Sequence, residues 1–324
     1  MKRKTKKILF LIGVVLFLVG GILLFILQNQ EESYSDDYEE SSRQDTIVYG
    51  GKEYRYNEHL SNYLFMGIDA RDPIEEYETR ENIGRADAIF LLSYDRVKKT
   101  VKCVSIPRDT MTDIRVITID GTDTGKTKEH INMQYAFGDG KDESCRLMKE
   151  AVSSLLYDVP IQGYCSLNMD GIPAAVDALG GVEMVLADNS MENVFPEFVE
   201  GAKVTITKEN AEQFIRYRDT DEAQSALVRT NRQKELMKAV SETARKKSVE
   251  DVEFVVNMYD RLKPYMVCNI SNDILVDLSE ASFDSQNGVV DIPGEGVEGD
   301  MHDEYHIDEE KLYELVLQMF YEEM

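Results

Sequence analysis

The sequence predicts an α/β layered sandwich, with a central mixed β-sheet flanked by helices and one transmembrane helix ahead of it. Three observations carry this. Residues 8 to 27, ILFLIGVVLFLVGGILLFIL, are an uncharged run of the length that crosses the hydrocarbon as a helix. From Asn62 onward, short apolar runs rich in Phe, Leu, Ile and Val alternate with segments of helical period, the pattern of an α/β domain. A chain of 324 residues is long enough to bury a substantial core.

The alternatives for the apolar run are a buried core helix and a cleaved signal peptide. Soluble helices keep a polar face, and this run has none. No small-x-small site with a polar turn follows it. Five of the first seven residues are Lys or Arg, whereas NQEESYSDDYEE follows, so the charge bias keeps the N-terminus inside. The expected organisation is a cytoplasmic tail (1–7), an anchor (8–27), an acidic extracellular stalk (28–57) and a folded domain (58–324). The stalk, rich in Glu, Asp, Ser and Tyr, would span on the order of 30 Å as a flexible coil. The protein is thus expected in the cell membrane, single-pass, with its C-terminal domain outside.

The net charge is −25, and leaving out the five cations of the tail makes the remainder about −30. Such a domain repels nucleic acid and anionic membrane surfaces, so no nucleic-acid partner is expected. Any anionic ligand must be caught by a local cluster of arginines.

Three runs, NYLFMGID, DAIFLLSYD and TVKCVSIP, read as strands of a sheet core, the second and third joined by the turn-like RVKK. Asp142 is placed to cap a helix reaching about Tyr157, with Cys145, Met148, Ala151, Val152 and Leu155 at helical spacing. GYCSLNMD reads as a strand, GIPAAVDALGG as a helix closed by glycines, and VEMVLAD as a further strand, with KVTIT following after a loop. A short helix starts near Thr207. IRYRD sets Arg216 and Arg218 on one side only if it is extended. Helices are expected over about 228–247, 249–262 and 308–323, with GVVDIPG as a strand before the last. Four cysteines, Cys103, Cys145, Cys165 and Cys268, match no metal-ligand spacing; one disulfide is compatible with export, but sequence cannot pair them.

Charged residues cluster where apolar strands stop or start. Asp69 and Arg71 follow YLFMGI, Arg85 and Asp87 precede AIFLLS, and Arg108 and Asp109 follow VSIP. If neighbouring strands are antiparallel, all three pairs share one sheet edge, where α/β proteins hold ligands. An ion pair closing a strand end is the plain alternative for Arg108 and Asp109. Two carboxylates among arginines suit a divalent cation with a phosphate, and Asp69 and Asp87 are the candidate metal ligands. A second arginine source is RYRDTDEAQSALVRTNRQ: Arg229, Arg232 and Gln233 fall on one helix face, with Leu236, Met237 and Val240 toward the core. A solvated basic face is the alternative there. Arg71, Arg85, Arg108, Arg216, Arg218, Arg229, Arg232 and Gln233 are the candidate ligands for such a phosphate-bearing group.

GIDAR, GRAD, SIPRDT, HINMQYAFG, IRYRD and RTNRQ, in this order over residues 60 to about 245, resemble the LytR-CpsA-Psr family of cell-wall ligases. The resemblance implies transfer of a phosphorylated glycopolymer, such as teichoic acid or capsular polysaccharide, from an undecaprenyl diphosphate carrier to peptidoglycan. The acceptor would be the C6 hydroxyl of N-acetylmuramic acid. It implies Mg²⁺, with Mn²⁺ as a substitute, on Asp69 and Asp87, and a diphosphate held by Arg85, Arg108, Arg216, Arg218 and Arg229. One departure stands out: SALVR carries Ala226 and Val228 where the family has an Asp and a Gly, leaving Asp219 or Asp221 to supply that carboxylate. Apolar residues of 144–157 and 171–179 could line a slot for the polyprenyl tail or belong to the core. The competing functions are hydrolysis of the diphosphate, non-catalytic wall binding and regulation.

Overall fold

In a computed structural model, residues 46–70, 73–74, 83–118, 120–219, 260–283, 289–298 and 303–324 are described. Between them, residues 228, 229, 232, 235, 236, 239, 240, 242–244, 246, 247, 254 and 258 are described as well. The expected tail and anchor, the stalk up to residue 45, and Arg71, Asp221, Ala226 and Gln233 lie outside the described residues. No described helix is long and apolar enough to cross a membrane. The described residues divide into a sheet unit, made of residues 46–167 with Met266–Ser271 and Glu280–Met324, and a second unit, Asn168–Tyr265 with Asn272–Ser279.

The sheet unit begins with a correction. Residues 47–56, expected as the end of the stalk, form a hairpin of β1 (Ile47–Tyr49) and β2 (Lys52–Tyr56). Gly50 and Gly51, at φ 60° and 80°, supply the two positive φ angles that a tight two-residue hairpin turn demands. The acidic composition hid that turn.

β3 (Leu60–Ile68), β4 (Ala86–Asp95) and β5 (Thr100–Ile106) run antiparallel in succession, with Leu64 opposite Leu91 and Leu91 opposite Val104. β3 is buried almost throughout, as expected of a strand covered on both faces. β6 (Met111–Ile117) and β7 (Asp123–His130) form a ribbon that the sequence did not announce, because DTGKTKEH carries no apolar alternation. The one-turn helix α1 (Met133–Ala136) and the amphipathic α2 (Asp142–Leu155) follow. Asp142 does not cap α2. Asp139 does so, its carboxylate accepting from the Ser144 and Lys141 amides, while Asp142 takes the Tyr164 hydroxyl at 2.9 Å.

Cys145, Met148, Ala151, Val152 and Leu155 of α2 all lie in the hydrophobic core with Leu64, Leu91 and Val104. That stripe is core rather than a lipid slot. β8 (Gly163–Asn168) lies beside β3.

In the second unit, α3 (Gly171–Ala178) packs against α4 (Lys208–Arg216), and β9 (Val182–Val185) pairs with β10 (Lys203–Ile206) as a separate two-stranded sheet. Asn210 accepts from the Thr207 amide at 2.8 Å, fixing the start of α4 near the expected place. The described residues of 228–247 and 254–262 are helical, with Leu236, Val240, Phe254, Met258 and Leu262 buried.

The chain returns to the sheet unit as β11 (Met266–Cys268), antiparallel to β8 at the sheet edge, and then forms α5 (Asn272–Glu280), which belongs with the second unit. β12 (Ser282–Phe283) and β13 (Val289–Asp291) pair parallel with β5, so the central sheet is mixed as expected. A hairpin of β14 (Gly294–Val297) and β15 (Glu304–Ile307) leads to α6 (Glu309–Phe320), capped by Asp308. The expected helix stops three residues short, because Tyr321–Glu323 becomes β16 and pairs with β2. Tyr56 and Tyr321 meet edge to face at 5.6 Å across that pairing.

Candidate functional site

The register of the sheet brings five of the predicted residues to one edge. Ile68, at the end of β3, lies opposite Ala86 at the start of β4, and Ile89 lies opposite Ile106 at the end of β5. Asp69, Arg85, Asp87, Arg108 and Asp109 therefore emerge from neighbouring strand ends. The Asp69 amide donates to the Arg85 carbonyl at 2.8 Å, and Gly84, at φ +84°, packs so closely that an added Cβ would lie 2.5 Å from the Asp69 carbonyl oxygen. Glycine in GRAD is thus what lets the two loops touch.

Arg108 stands in a tight turn. The Thr110 amide and hydroxyl both donate to the Pro107 carbonyl, at 3.1 and 2.6 Å, which fixes the two residues between them. The Arg108 guanidinium donates to Asp87 at 3.0 Å and its Nε lies 3.3 Å from Asp109, which holds it from behind. β15 supports the turn through the Tyr305 amide, which donates to the Asp109 carbonyl at 2.8 Å.

The carboxyl of Asp87 is pushed above the ordinary range. Burial is the main cause; the Asp69 and Asp109 charges add to it, and together they outweigh the pull of Arg108. Crowding of this kind suits a divalent cation, which would offset the mutual repulsion of Asp69 and Asp87, so the donors present fit magnesium. Among the described residues no group of three or more His, Cys, Asp or Glu is placed to hold a metal, so phosphate oxygens and water would have to complete such a shell.

Sequence reasoning missed Asn132, although it lies within HINMQYAFG. Its amide donates to the Arg108 carbonyl at 3.2 Å, and its own carbonyl accepts from Ala86 at 3.3 Å. One residue thus ties the start of β4 to the arginine turn. It is 4% exposed, and its Oδ1 has no hydrogen-bond partner among the described residues. An asparagine set between apolar Ile131 and Met133 was the signal that could have found it.

In the second unit the predicted arginines differ from one another. Arg216 is the last residue of α4, and the extended backbone begins only at Tyr217, so IRYRD is not the continuous strand that would set Arg216 and Arg218 on one side. Both are exposed. Arg218 and Asp219 line a pocket with Asp188, Asn189, Ser190, Asn193, Tyr217, Val228 and Arg232. Asp219, a candidate for the missing carboxylate, accepts from the Asn193 amide group at 3.4 Å.

Arg232 is not available as a diphosphate ligand. It is 5% exposed, and its guanidinium donates to the carbonyls of Phe214 and Tyr217 and, at 2.8 Å, to the Ser190 hydroxyl. Burial, with the nearby Arg229 charge, lowers its pKa against the pull of Asp188. It pins the backbone that presents Arg216 and Arg218. Arg229, one helical turn earlier, has no hydrogen-bond partner for its Nε among the described residues.

A family model, the LytR_cpsA_psr family, matches residues 23–320. Among curated proteins, the chain is 32% identical over 178 residues to a polyisoprenyl-teichoic acid–peptidoglycan teichoic acid transferase, TagU, of Halalkalibacterium halodurans. That match covers 55% of this chain and 51% of the relative, so the chain spans about half the length of that protein. A TagU of Bacillus cereus strain AH820 is 28% identical, over 90% of this chain and 89% of its own. Among solved structures, protein gbs0355 of Streptococcus agalactiae shares the fold at a TM-score of 0.57 and 19% identity, covering 82% of this chain and 90% of that one.

Proposed function

Because this chain belongs to the LytR_cpsA_psr family, we propose that it transfers a phosphorylated glycopolymer from a polyprenyl diphosphate carrier to peptidoglycan. The relatives named for teichoic acid transfer to peptidoglycan support this substrate class. The finer reading follows the resemblance: the carrier is undecaprenyl diphosphate, the acceptor the C6 hydroxyl of N-acetylmuramic acid, and the chain a membrane-anchored phosphotransferase working outside the cell.

The observation that carries the reading is the set Asp87, Arg108 and Asp109 at the edge shared by β3, β4 and β5. Phosphoryl transfer asks little covalent chemistry of a protein; it depends on alignment and on charge placed where the transition state gathers it. Arg108 meets that need, because its turn, Asp109 and Asn132 hold it before substrate arrives. Arg85, Arg216, Arg218 and Arg229, with Arg71 and Gln233 from outside the described residues, are proposed as further diphosphate ligands. Arg232 is proposed as the positioning residue of Arg216 and Arg218. Mg²⁺ on Asp69 and Asp87 would neutralise phosphate charge and orient its oxygens.

A second reading, hydrolysis of the diphosphate, draws on the openness of the edge: the side chains of Arg108 and Asp87 are 47% and 37% exposed, so water can reach them. One assay separates the two. The full chain in detergent, with Mg²⁺ and a polyprenyl diphosphate-linked sugar, is expected to release polyprenyl phosphate and to label added peptidoglycan fragments. Release without labelling favours hydrolysis, and no release under any of these conditions defeats both.

A further inference from the structure

The strand register settles what the cysteine spacing left open. Cys268 of β11 lies directly opposite Cys165 of β8, so both side chains leave the sheet on the same face. One residue further on, the Asn269 amide donates to the Tyr164 carbonyl at 3.1 Å. Hydrogen-bonded and non-hydrogen-bonded pairs alternate along an antiparallel ladder, so the cysteines occupy a non-hydrogen-bonded pair. There the Cα atoms stand about 4.5 Å apart, inside the range of roughly 4.4–6.8 Å that a disulfide spans.

The other two cysteines are excluded by position. Cys103 sits on β5, separated from β8 by β3 and β4. Cys145 reaches the hydroxyl of Ser166, at 3.5 Å, and Ser166 points to the opposite face of β8 from Cys165. A shared metal is no better explanation, because no group of three or more His, Cys, Asp or Glu is placed to hold a metal among the described residues.

We propose that Cys165 and Cys268 are a built-in oxidation site, closing to a cross-strand disulfide that staples the edge strand β11 to the central sheet. All four cysteines are free thiols in the structure. Cys268, on the edge strand, is of intermediate exposure as a residue, and Cys165 is buried. Hydrogen bonding from Cys165 holds the Cys268 thiol below its ordinary range, while the same contact and burial push the Cys165 thiol up.

The oxidant is a disulfide. The Cys268 thiolate attacks one of its sulfurs, forming a mixed disulfide and expelling a thiolate. Cys165 then gives up its proton and attacks the Cys268 sulfur, expelling the second thiolate. Two protein thiols are oxidised, one external disulfide is reduced to two thiols, and the two protons pass to the released thiolates. The ring so closed includes the whole stretch from β8 to β11, and the second unit's residues 168–265 lie within it.

The test uses the full chain purified in detergent, exposed to oxidised glutathione, denatured, alkylated and mapped by mass spectrometry. The expected result is loss of two of the four alkylatable thiols and one peptide pair joining Cys165 to Cys268. A rise in the urea midpoint, reversed by dithiothreitol, should accompany it. Cys268→Ser is expected to retain all three remaining thiols and to show no midpoint shift. Four alkylatable thiols after oxidation, a glutathione adduct persisting on Cys268, or a bridge from either residue to Cys145 would each overturn the proposal.

Discussion

Arg108 and Arg232 are both arginines from motifs that suggest phosphate binding, yet the fold uses them in opposite ways. Arg108 is half exposed, held by two carboxylates that a phosphate or a cation can displace. Arg232 is buried and donates to the backbone carbonyls of Phe214 and Tyr217 and to the Ser190 hydroxyl. What separates a ligand arginine from a scaffold arginine is which acceptors already claim its N–H groups. Helical spacing, which grouped Arg232 with Arg229, carries no information about those acceptors.

The contrast is sharpest in substitution. Arg232→Ala removes three donors and leaves buried carbonyls unpaired, so a loss of about 3 kcal/mol is expected. Arg232→Lys should recover little, since an ammonium cannot span the same fork. The chain contains no tryptophan, so urea unfolding followed by far-UV circular dichroism is the suitable measurement. A variant as stable as the parent would make Arg232 a ligand after all.

Arg108→Ala is expected to do the reverse. Activity should fall about 100-fold or more, equivalent to roughly 2.7 kcal/mol of transition-state stabilisation. Stability should change by less than about 1 kcal/mol, because exposed ion pairs contribute little. Comparing release of polyprenyl phosphate with the unfolding midpoint checks both halves. Normal turnover with a damaged fold would exchange the roles of the two arginines.

Gly84→Ala tests whether the edge needs its loops in contact. The variant requires a left-handed backbone and a Cβ placed 2.5 Å from the Asp69 carbonyl oxygen and 2.7 Å from the Ala70 Cβ. A cost of about 2 kcal/mol is expected, with displacement of Asp69. Gly121 has a similar φ, +85°, but nothing within 4 Å, so Gly121→Ala isolates the backbone cost alone. Equal midpoints and equal activities for the two variants would show that the close approach carries no function.

The sequence made β3, β4, β5 and α2 legible because each is long and buried on a regular period. The motif residues at the edge were legible for the same reason: the strands that carry them could be located. The β6–β7 ribbon was not, since eight polar residues of β7 show no alternation and are paired only through their backbone. Nor was the β1–β2 hairpin, where an acidic composition outweighed the Gly50–Gly51 turn. The role of Arg232 depends on carbonyls 15 and 18 residues away, set by how α4 ends, and no local pattern reports that.

The same distinction between a claimed and a contested group recurs along β4, whose two ends carry Asp87 and Asp95. Asp87 is pushed up by burial and by neighbouring carboxylates. Asp95 is also buried, which alone would raise it, but the amides of Val97 and Lys98 and the Lys98 ammonium outweigh burial and hold it below the ordinary range. A depressed carboxyl contributes stability that is complete above the unfolded value, near pH 4, and is lost as pH falls through the folded value. Asp95→Asn keeps an acceptor for the amides but removes the charge, so it should cost about 1 kcal/mol at pH 7. That difference should shrink toward zero in acid, because the parent carboxyl is then neutral too. Urea midpoints of parent and variant at pH 7 and at successively lower pH give the answer. A gap that stays constant as the parent protonates would mean that Asp95 acts by shape and not by charge, and the contrast with Asp87 would then rest on position alone.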